Sequence, residues 1–447
     1  KDITVLTRTL AERIDREKKT VSIVNLDTNQ HEDLPYDKLV IATGGTPILP
    51  PFPGIDLKGV FTLRSPHDAA AIRDAIASGR VKKAVIVGAG LIGLEMCDAL
   101  SARGLDVTVV EMFPQILPGL LDMETARFVE RHMISQGINA AFGERVNALE
   151  GDHLGNVTRV KTDKRSIDTD MVIVAVGVRP NDQLARDAGL DVHKKGGIFV
   201  NDYMQTSDPD IYAGGDCVLC KNQVTGQTVY VPLGSTANKQ GRVIGTNLAG
   251  GQEKFAGIVG TAAAKDCDYN IGRTGLTEKA AKELGYDVVT ALAPAPDRAH
   301  YYPGAKTILV KVVADAKTRR LLGIQVVGPG EAAKRADVAA TALYFGATVD
   351  DIANLDLGYA PPYSGALDNI IHAANIARNK LDGVAKSISA IEVKAKIEAG
   401  DDFCFLDVRG PAEYEEMRIE DPRVKLIPLG RLRASLDQLP KEKEIIT

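Results

Sequence analysis

Ala84-Val85-Ile86-Val87-Gly88-Ala89-Gly90-Leu91-Ile92-Gly93-Leu94-Glu95 reads as a buried strand, a glycine turn and the start of a helix. Val85 to Val87 are apolar and β-branched, which suits a central parallel strand covered on both faces. Gly88 permits the tight bend, Gly90 lets backbone approach a pyrophosphate, and Gly93 lets the helix pack closely on the strand. The first N–H groups of that helix then point at phosphate oxygens. Glycine spacing alone is a weak signal, but a second strand, Val107 to Val110, ends in Glu111, where a dinucleotide site needs an acid for the ribose 2′-hydroxyl. The same carboxylate repels a 2′-phosphate, and no arginine follows in Met112-Phe113-Pro114, so NADH is expected rather than NADPH. The competing reading is a structural turn with Glu111 in solvent.

The chain of 447 residues has room for about three domains. It is 45% hydrophobic and 25% charged, a globular composition. Its 54 basic and 59 acidic residues leave a net charge of −5, spread along the chain, so no nucleic-acid surface is expected. The longest apolar stretch is the glycine turn itself, too short to span a bilayer. With no signal peptide and five cysteines that form no disulfide framework, a cytoplasmic protein is expected, with no membrane partner.

Outward from the turn, Val21 to Leu26 and Leu39 to Thr43 read as strands, the second leaving its sheet through Ala42-Thr43-Gly44-Gly45 and a proline-rich run. Ser65-Pro66 opens a helix to Ser78. A helix near Glu124 to Gln136 and a strand Met171 to Val176 complete the NADH unit, followed by Gly177-Val178-Arg179-Pro180. Asp210-Ile211-Tyr212-Ala213-Gly214-Gly215-Asp216 is a short strand ending in two glycines and an acid, suited to a ribose or polyol hydroxyl; a plain turn is the alternative. Pro232-Leu233-Gly234-Ser235-Thr236-Ala237-Asn238 then starts a helix running to about Gly250, whose N-terminus can face an electron-rich ring edge.

These motifs, in this order, resemble those of the FAD-dependent pyridine-nucleotide disulfide oxidoreductases over roughly residues 1 to 380. The resemblance implies an α/β fold with two doubly wound nucleotide-binding domains, for FAD and NADH, and an α+β dimerisation domain. The expected boundaries are 1–80 for the remainder of the FAD domain, 81–178 for the NADH domain, 179–254 for the FAD domain continued and 255–382 for the interface domain. By the same resemblance Thr43, Gly44, Asp216 and Leu233 belong to the FAD site, Ala237 lies near the flavin ring, and Glu95 and Gly177 lie near the nicotinamide.

Four of the 12 tyrosines cluster in Tyr301-Tyr302-Pro303-Gly304 and Tyr359-Ala360-Pro361-Pro362-Tyr363. A phenol is protonated at neutral pH and donates to a thiolate or flavin without adding charge. Aromatic packing at a subunit interface is the alternative. The two motifs resemble those of the coenzyme A-disulfide reductases and NADH-dependent persulfide reductases, in which tyrosines matching Tyr301 and Tyr359 reach across a homodimer to the partner's redox cysteine. Tyr363, Asn238 and Arg298 are expected on the substrate side, the last two matching only loosely. Leu367 stands where that subgroup commonly has a lysine for the coenzyme A phosphate, which weakens coenzyme A as substrate or ligand.

After a linker at Gly383 to Ser389, an amphipathic helix, Phe403-Cys404-Phe405-Leu406-Asp407-Val408-Arg409 and Ile427-Pro428-Leu429 resemble the first part of a rhodanese domain, over 389–447. An unrelated small α/β tail is the alternative. The family's opening βαβ unit and its redox cysteine are not found before Ala84, and the tail stops short of a rhodanese cysteine loop. A piece of a longer protein is the expectation, and a chain that has lost these parts the alternative. Cys97 and Cys404 read as core residues and Cys267 as a lone thiol. Cys217 and Cys220 form a CxxC with no second pair, so no metal is expected. The resulting function is electron transfer from NADH through FAD to a cysteine-bound disulfide or persulfide, with a small sulfur substrate. The alternatives are an NADH oxidase of the same fold and a non-catalytic NADH-binding redox sensor.

Overall fold

The computed structural model describes residues 3–447 and divides into two compact units, one running to Leu381 and the other Asp382–Thr447. At the centre of the first is a five-stranded parallel sheet, in the order Val60–Phe61, Met171–Val174, Lys83–Val87, Asp106–Glu111, Asn139–Phe142. Ala84 to Val87 and Met171 to Val174 are buried throughout, as strands covered on both faces must be. The helix Leu91–Ser101 turns Leu94, Cys97 and Leu100 inward at helical spacing, onto Ile86 and Val109.

This sheet draws in residues ahead of one expected boundary. Val60–Phe61 pairs with Val172 and Ile173, and Ile72 of the helix Pro66–Ala77 packs in the same core as Ile86. The parallel unit therefore begins ahead of residue 81. That helix starts where the sequence indicated: the Ser65 hydroxyl accepts from Asp68 N–H, and the Asp68 carboxylate accepts from Ser65 N–H. Two expected strands are shorter, Leu39–Ile41 and Met171–Val174, because the chain leaves each sheet at once to shape a ligand-facing turn.

The flanking segments are stitched together by short pairs. Leu39–Ile41 runs parallel to Ile211–Ala213, and Gly45–Pro47 is antiparallel to Val178–Pro180. The third layer is an antiparallel sheet, in the order Ala262–Asp266, Tyr269–Gly275, Leu321–Gly328, Thr307–Asp315, Val288–Pro296. Strand alternation divides its two faces. Val310, Val312, Ile324 and Val326 join the core under the helices Ala333–Tyr344 and Asn369–Leu381, whereas Leu309, Val327 and Ile271 join the core of the parallel unit. Lys311, on the latter side and 2% exposed, reaches Asp122, Glu124 and Glu278 at 3.3, 2.9 and 2.7 Å. A buried ammonium is tolerable only with such partners.

The second unit has a three-stranded parallel sheet, Val424–Leu426, Phe403–Asp407, Glu444–Ile446. The helix Ala390–Ala399 is capped by Ser389 and ends on Gly400 in the left-handed region. Arg409 forks onto Asp407, whose carboxyl that bond holds below its usual range.

Candidate functional site

Two cavities meet at Arg64 and Pro232. The larger, about 970 Å³, lies over the glycine turn and is lined by Gly88, Gly90, Glu111, Gly177 and Leu233. Gly88 takes φ +103°, and a Cβ there would stand 2.6 Å from the Ala175 carbonyl oxygen. A Cβ on Gly93 would stand 2.0 Å from the Gly88 carbonyl oxygen, so Gly93 serves the close packing of helix on turn. Around Gly90 nothing lies within 4 Å of such a Cβ, which leaves the space a pyrophosphate needs. The following helix has no side-chain cap, so its first N–H groups face this opening. Glu111 is buried and holds the turn itself: its carboxylate accepts from Ala89 N–H at 2.8 Å and Phe113 N–H at 3.0 Å. Each oxygen keeps a lone pair for a ribose hydroxyl. These residues fit a dinucleotide.

The smaller cavity, about 660 Å³, is lined by Gly44, Arg64, Gly215, Asp216 and Ala237. Gly44 (φ +68°) and Gly215 (φ +81°) bring backbone to its wall, and Gln240 holds the second turn by accepting from Gly215 N–H at 2.8 Å. Arg64 Nη2 donates to Asp216 Oδ2 at 2.6 Å, and Tyr230 donates its hydroxyl to the Asp216 carbonyl at 3.0 Å. Burial first, and then the Asp216 charge, push the Tyr230 phenol up to about 12. A carboxylate on a glycine turn with backbone at close range fits a flavin's polyol chain.

Three of the expected site residues bond within the chain or lie off the cavity wall. The Thr43 hydroxyl donates to the Asn181 carbonyl, so it clamps the loop, and Ala42 and Gly44 form the wall instead. Glu95 is exposed one helical turn beyond Leu91 and Ile92, outside the cavity lining. Asn238 donates back to Gly234 of its own helix at 2.8 Å. Arg64 and Asn181 escaped the sequence reading: their partners Asp216 and Thr43 lie 152 and 138 residues away. The Asp68 cap that also accepts from Arg64 N–H was the one local signal for Arg64.

The tyrosines form a third surface. Tyr301 and Tyr359 are 67% and 53% exposed, and the neighbouring Tyr359 hydroxyl is the first cause of a Tyr301 pKa raised above the ordinary phenol. Tyr363 and Leu367 are exposed on the same loop as Tyr359. Arg298 forks onto Asp297 at 2.8 Å rather than standing open to a substrate. The cysteines are free. Cys217 is buried and donates to the carbonyls of Gly214 (3.3 Å) and Ile41 (3.6 Å), and burial pushes Cys220 up to about 11. Among the described residues no group of three or more His, Cys, Asp or Glu could hold a metal ion, and no helix is long and apolar enough to cross a membrane.

The family model for pyridine nucleotide-disulphide oxidoreductases matches residues 1–241, and the one for that family's dimerisation domain matches 261–371. The chain is 42% identical to the NAD(P)H sulfur oxidoreductase (CoA-dependent) of Pyrococcus abyssi, over 77% of this chain and 76% of the relative. It is 40% identical to the NADH oxidase of Methanocaldococcus jannaschii, over 85% of this chain and 84% of the relative. The solved NAD-dependent persulfide reductase from A. fulgidus superposes with a TM-score of 0.92 at 45% identity, over 98% of this chain and 79% of that one.

Proposed function

The chain belongs to the pyridine nucleotide-disulphide oxidoreductase family, and from that premise we propose that it passes electrons from NADH through FAD to a cysteine-bound disulfide or persulfide. The observation that carries this reading is the exposed pair Tyr301 and Tyr359 on the dimerisation domain, whose loops meet where Ala299 N–H donates to the Pro361 carbonyl. FAD, when bound, accepts hydride from NADH and delivers two electrons to sulfur. The Gly88–Gly90 turn and the following helix N-terminus hold the NADH pyrophosphate, and Glu111 accepts from the ribose 2′-hydroxyl. Gly44, Gly215 and the Arg64–Asp216 pair hold the flavin's polyol end, with Ala237 beside the ring.

In a homodimer, Tyr301 and Tyr359 face the partner's redox cysteine. A phenol holds its proton at neutral pH, and the neighbouring Tyr359 favours that protonated form of Tyr301, which gives the proton to the leaving sulfur. The substrate is a small persulfide or disulfide. Coenzyme A derivatives remain in this class, and Leu367 supplies no cation for their phosphates. Residues 389–447 form the first part of a rhodanese-like domain that relays sulfane sulfur. The parallel sheet Val424–Leu426, Phe403–Asp407, Glu444–Ile446 supports this.

The relative named NADH oxidase supports a second reading, in which oxygen takes the electrons. Anaerobic NADH titration of the full-length enzyme, watched in the flavin spectrum, separates them. Fast reoxidation by a persulfide or coenzyme A disulfide with little oxygen turnover is expected; reoxidation by oxygen alone establishes the oxidase. NADH binding without flavin absorbance means a sensor.

A further inference from the structure

The two phenols stand on loops that share no strand or helix, yet one buried guanidinium holds both. Arg335, in the first turn of the helix Ala333–Tyr344, is 1% exposed. Its Nη2 donates to the Asp297 carbonyl at 2.6 Å, where the Tyr301 loop begins, and to Asp368 Oδ2 at 2.8 Å, where the Tyr359 loop ends. Nε donates to Asp368 Oδ1 at 3.1 Å and Nη1 to the Glu331 carbonyl at 2.8 Å. Each loop is then closed on its own acid. The Asp297 carboxylate accepts from Lys306 N–H at 3.0 Å, across the Tyr301 loop, and Asp368 accepts from the Ser364 hydroxyl at 3.0 Å, within the Tyr359 loop. The loops touch directly where Ala299 N–H donates to the Pro361 carbonyl at 3.2 Å.

Two exposed phenols gain little from a mutual hydrogen bond in water, so their alignment needs support from beneath. Burial would raise the Asp368 carboxyl, but the Arg335 bonds outweigh it and hold it below its usual value. We propose that Arg335, through Asp297 and Asp368, is the positioning residue that sets the placement of Tyr301 against Tyr359 and thereby the rate at which the pair serves the leaving sulfur. This inference rests on the reading of the pair as proton donor. A lysine keeps the charge and cannot bridge both loops from one planar fork.

The test is Arg335→Lys in the flavin-loaded, full-length enzyme, with Ser364→Ala as the milder variant. The expected result is a loss in kcat for a persulfide substrate of roughly 10- to 100-fold, with KM and flavin reduction by NADH little changed. Ultraviolet difference titration should show the Tyr301 phenol moving back down, and in a Tyr359→Phe background the replacement should cost no further turnover. If Arg335→Lys does not fold, Ser364→Ala decides, with a smaller loss in the same direction. A folded variant with unchanged phenol titration overturns the inference, as does an equal loss with and without Tyr359. Should Tyr301→Phe itself leave sulfur turnover intact, the proton-donor reading falls, while the titration of the Arg335 variant still reports whether Arg335 sets the placement of the pair.

Discussion

The glycine turn and the tyrosine face are built in opposite ways. The turn is local: strand, bend, helix and acid all lie between Lys83 and Glu111, and Gly88 and Gly93 have their reasons in a backbone angle and a close approach. The face is assembled from Asp297, Arg335 and Asp368, and the Arg335 bonds to the two acids span 38 and 33 residues. Local geometry is dictated by conformational permission. Distributed geometry is dictated by buried charge, whose partners are fixed only when the chain folds.

The largest effect is expected where the distributed site meets chemistry. Replacing Tyr301 and Tyr359 together by Phe should slow flavin reoxidation by persulfide by about 10²–10³-fold, the range for a lost proton donor. Stopped-flow traces should show flavin reduction by NADH unaltered; a slowed reductive step would mean that the two sites are not separable in this way.

Gly88→Ala tests the local site. It forces φ +103° on an L-residue and drives Cβ against the Ala175 carbonyl, so about 1–3 kcal/mol of stability is expected to go, together with roughly tenfold or more in NADH affinity. NADH titration and thermal unfolding read the two losses. Tight NADH binding by this variant would show that the turn tolerates what its geometry forbids.

Asp266 tests the seam between the regions, because the strand Ala262–Asp266 packs against the helix Leu91–Ser101. It is fully buried, and among the described residues both carboxylate oxygens lack a hydrogen-bond partner. Burial, then Asp98 and Asp268, push its pKa up from 3.8 to about 7. The folded state thus holds a proton that the unfolded state releases, so stability is fullest below pH 4 for this group and is lost as pH rises to about 7. Asp266→Asn should gain about 1–2 kcal/mol at pH 8 relative to the native chain, with the gain shrinking toward pH 5, in denaturant unfolding across that range. A pH-independent difference would refute the assignment.

The smallest effect belongs to Leu367→Lys. It adds an exposed cation on the loop that carries Tyr363, and about two- to fivefold better KM is expected for coenzyme A disulfide over a substrate without phosphate, fading with salt.

What the sequence made legible follows the same division. The turn, the Ser65 cap and Glu111 were readable because their partners sit within a few residues or one strand and helix. The strand Val60–Phe61 was not legible because it is only two residues long and joins the sheet through Met171–Val174, far along the chain. The partner of the Thr43 hydroxyl, the Asn181 carbonyl, lies 138 residues along the chain, where no local pattern announces it. Arg64, Arg335 and Asp368 carry no periodicity or motif, so a reading by pattern had nothing to find. The tyrosine motifs were visible by their prolines; the support under them was not.

The buried thiols have a consequence for traffic in reactive sulfur. A persulfide or polysulfide is captured by thiolate, and Cys97, Cys217 and Cys220 are all held as thiols, Cys217 directly behind the Asp216 turn. Sulfur delivered beside the flavin therefore meets a scaffold that does not compete for it. The same silence makes the folded protein a low-background object for thiol counting: at neutral pH an alkylating reagent passes these three positions by, and they answer only when the fold opens.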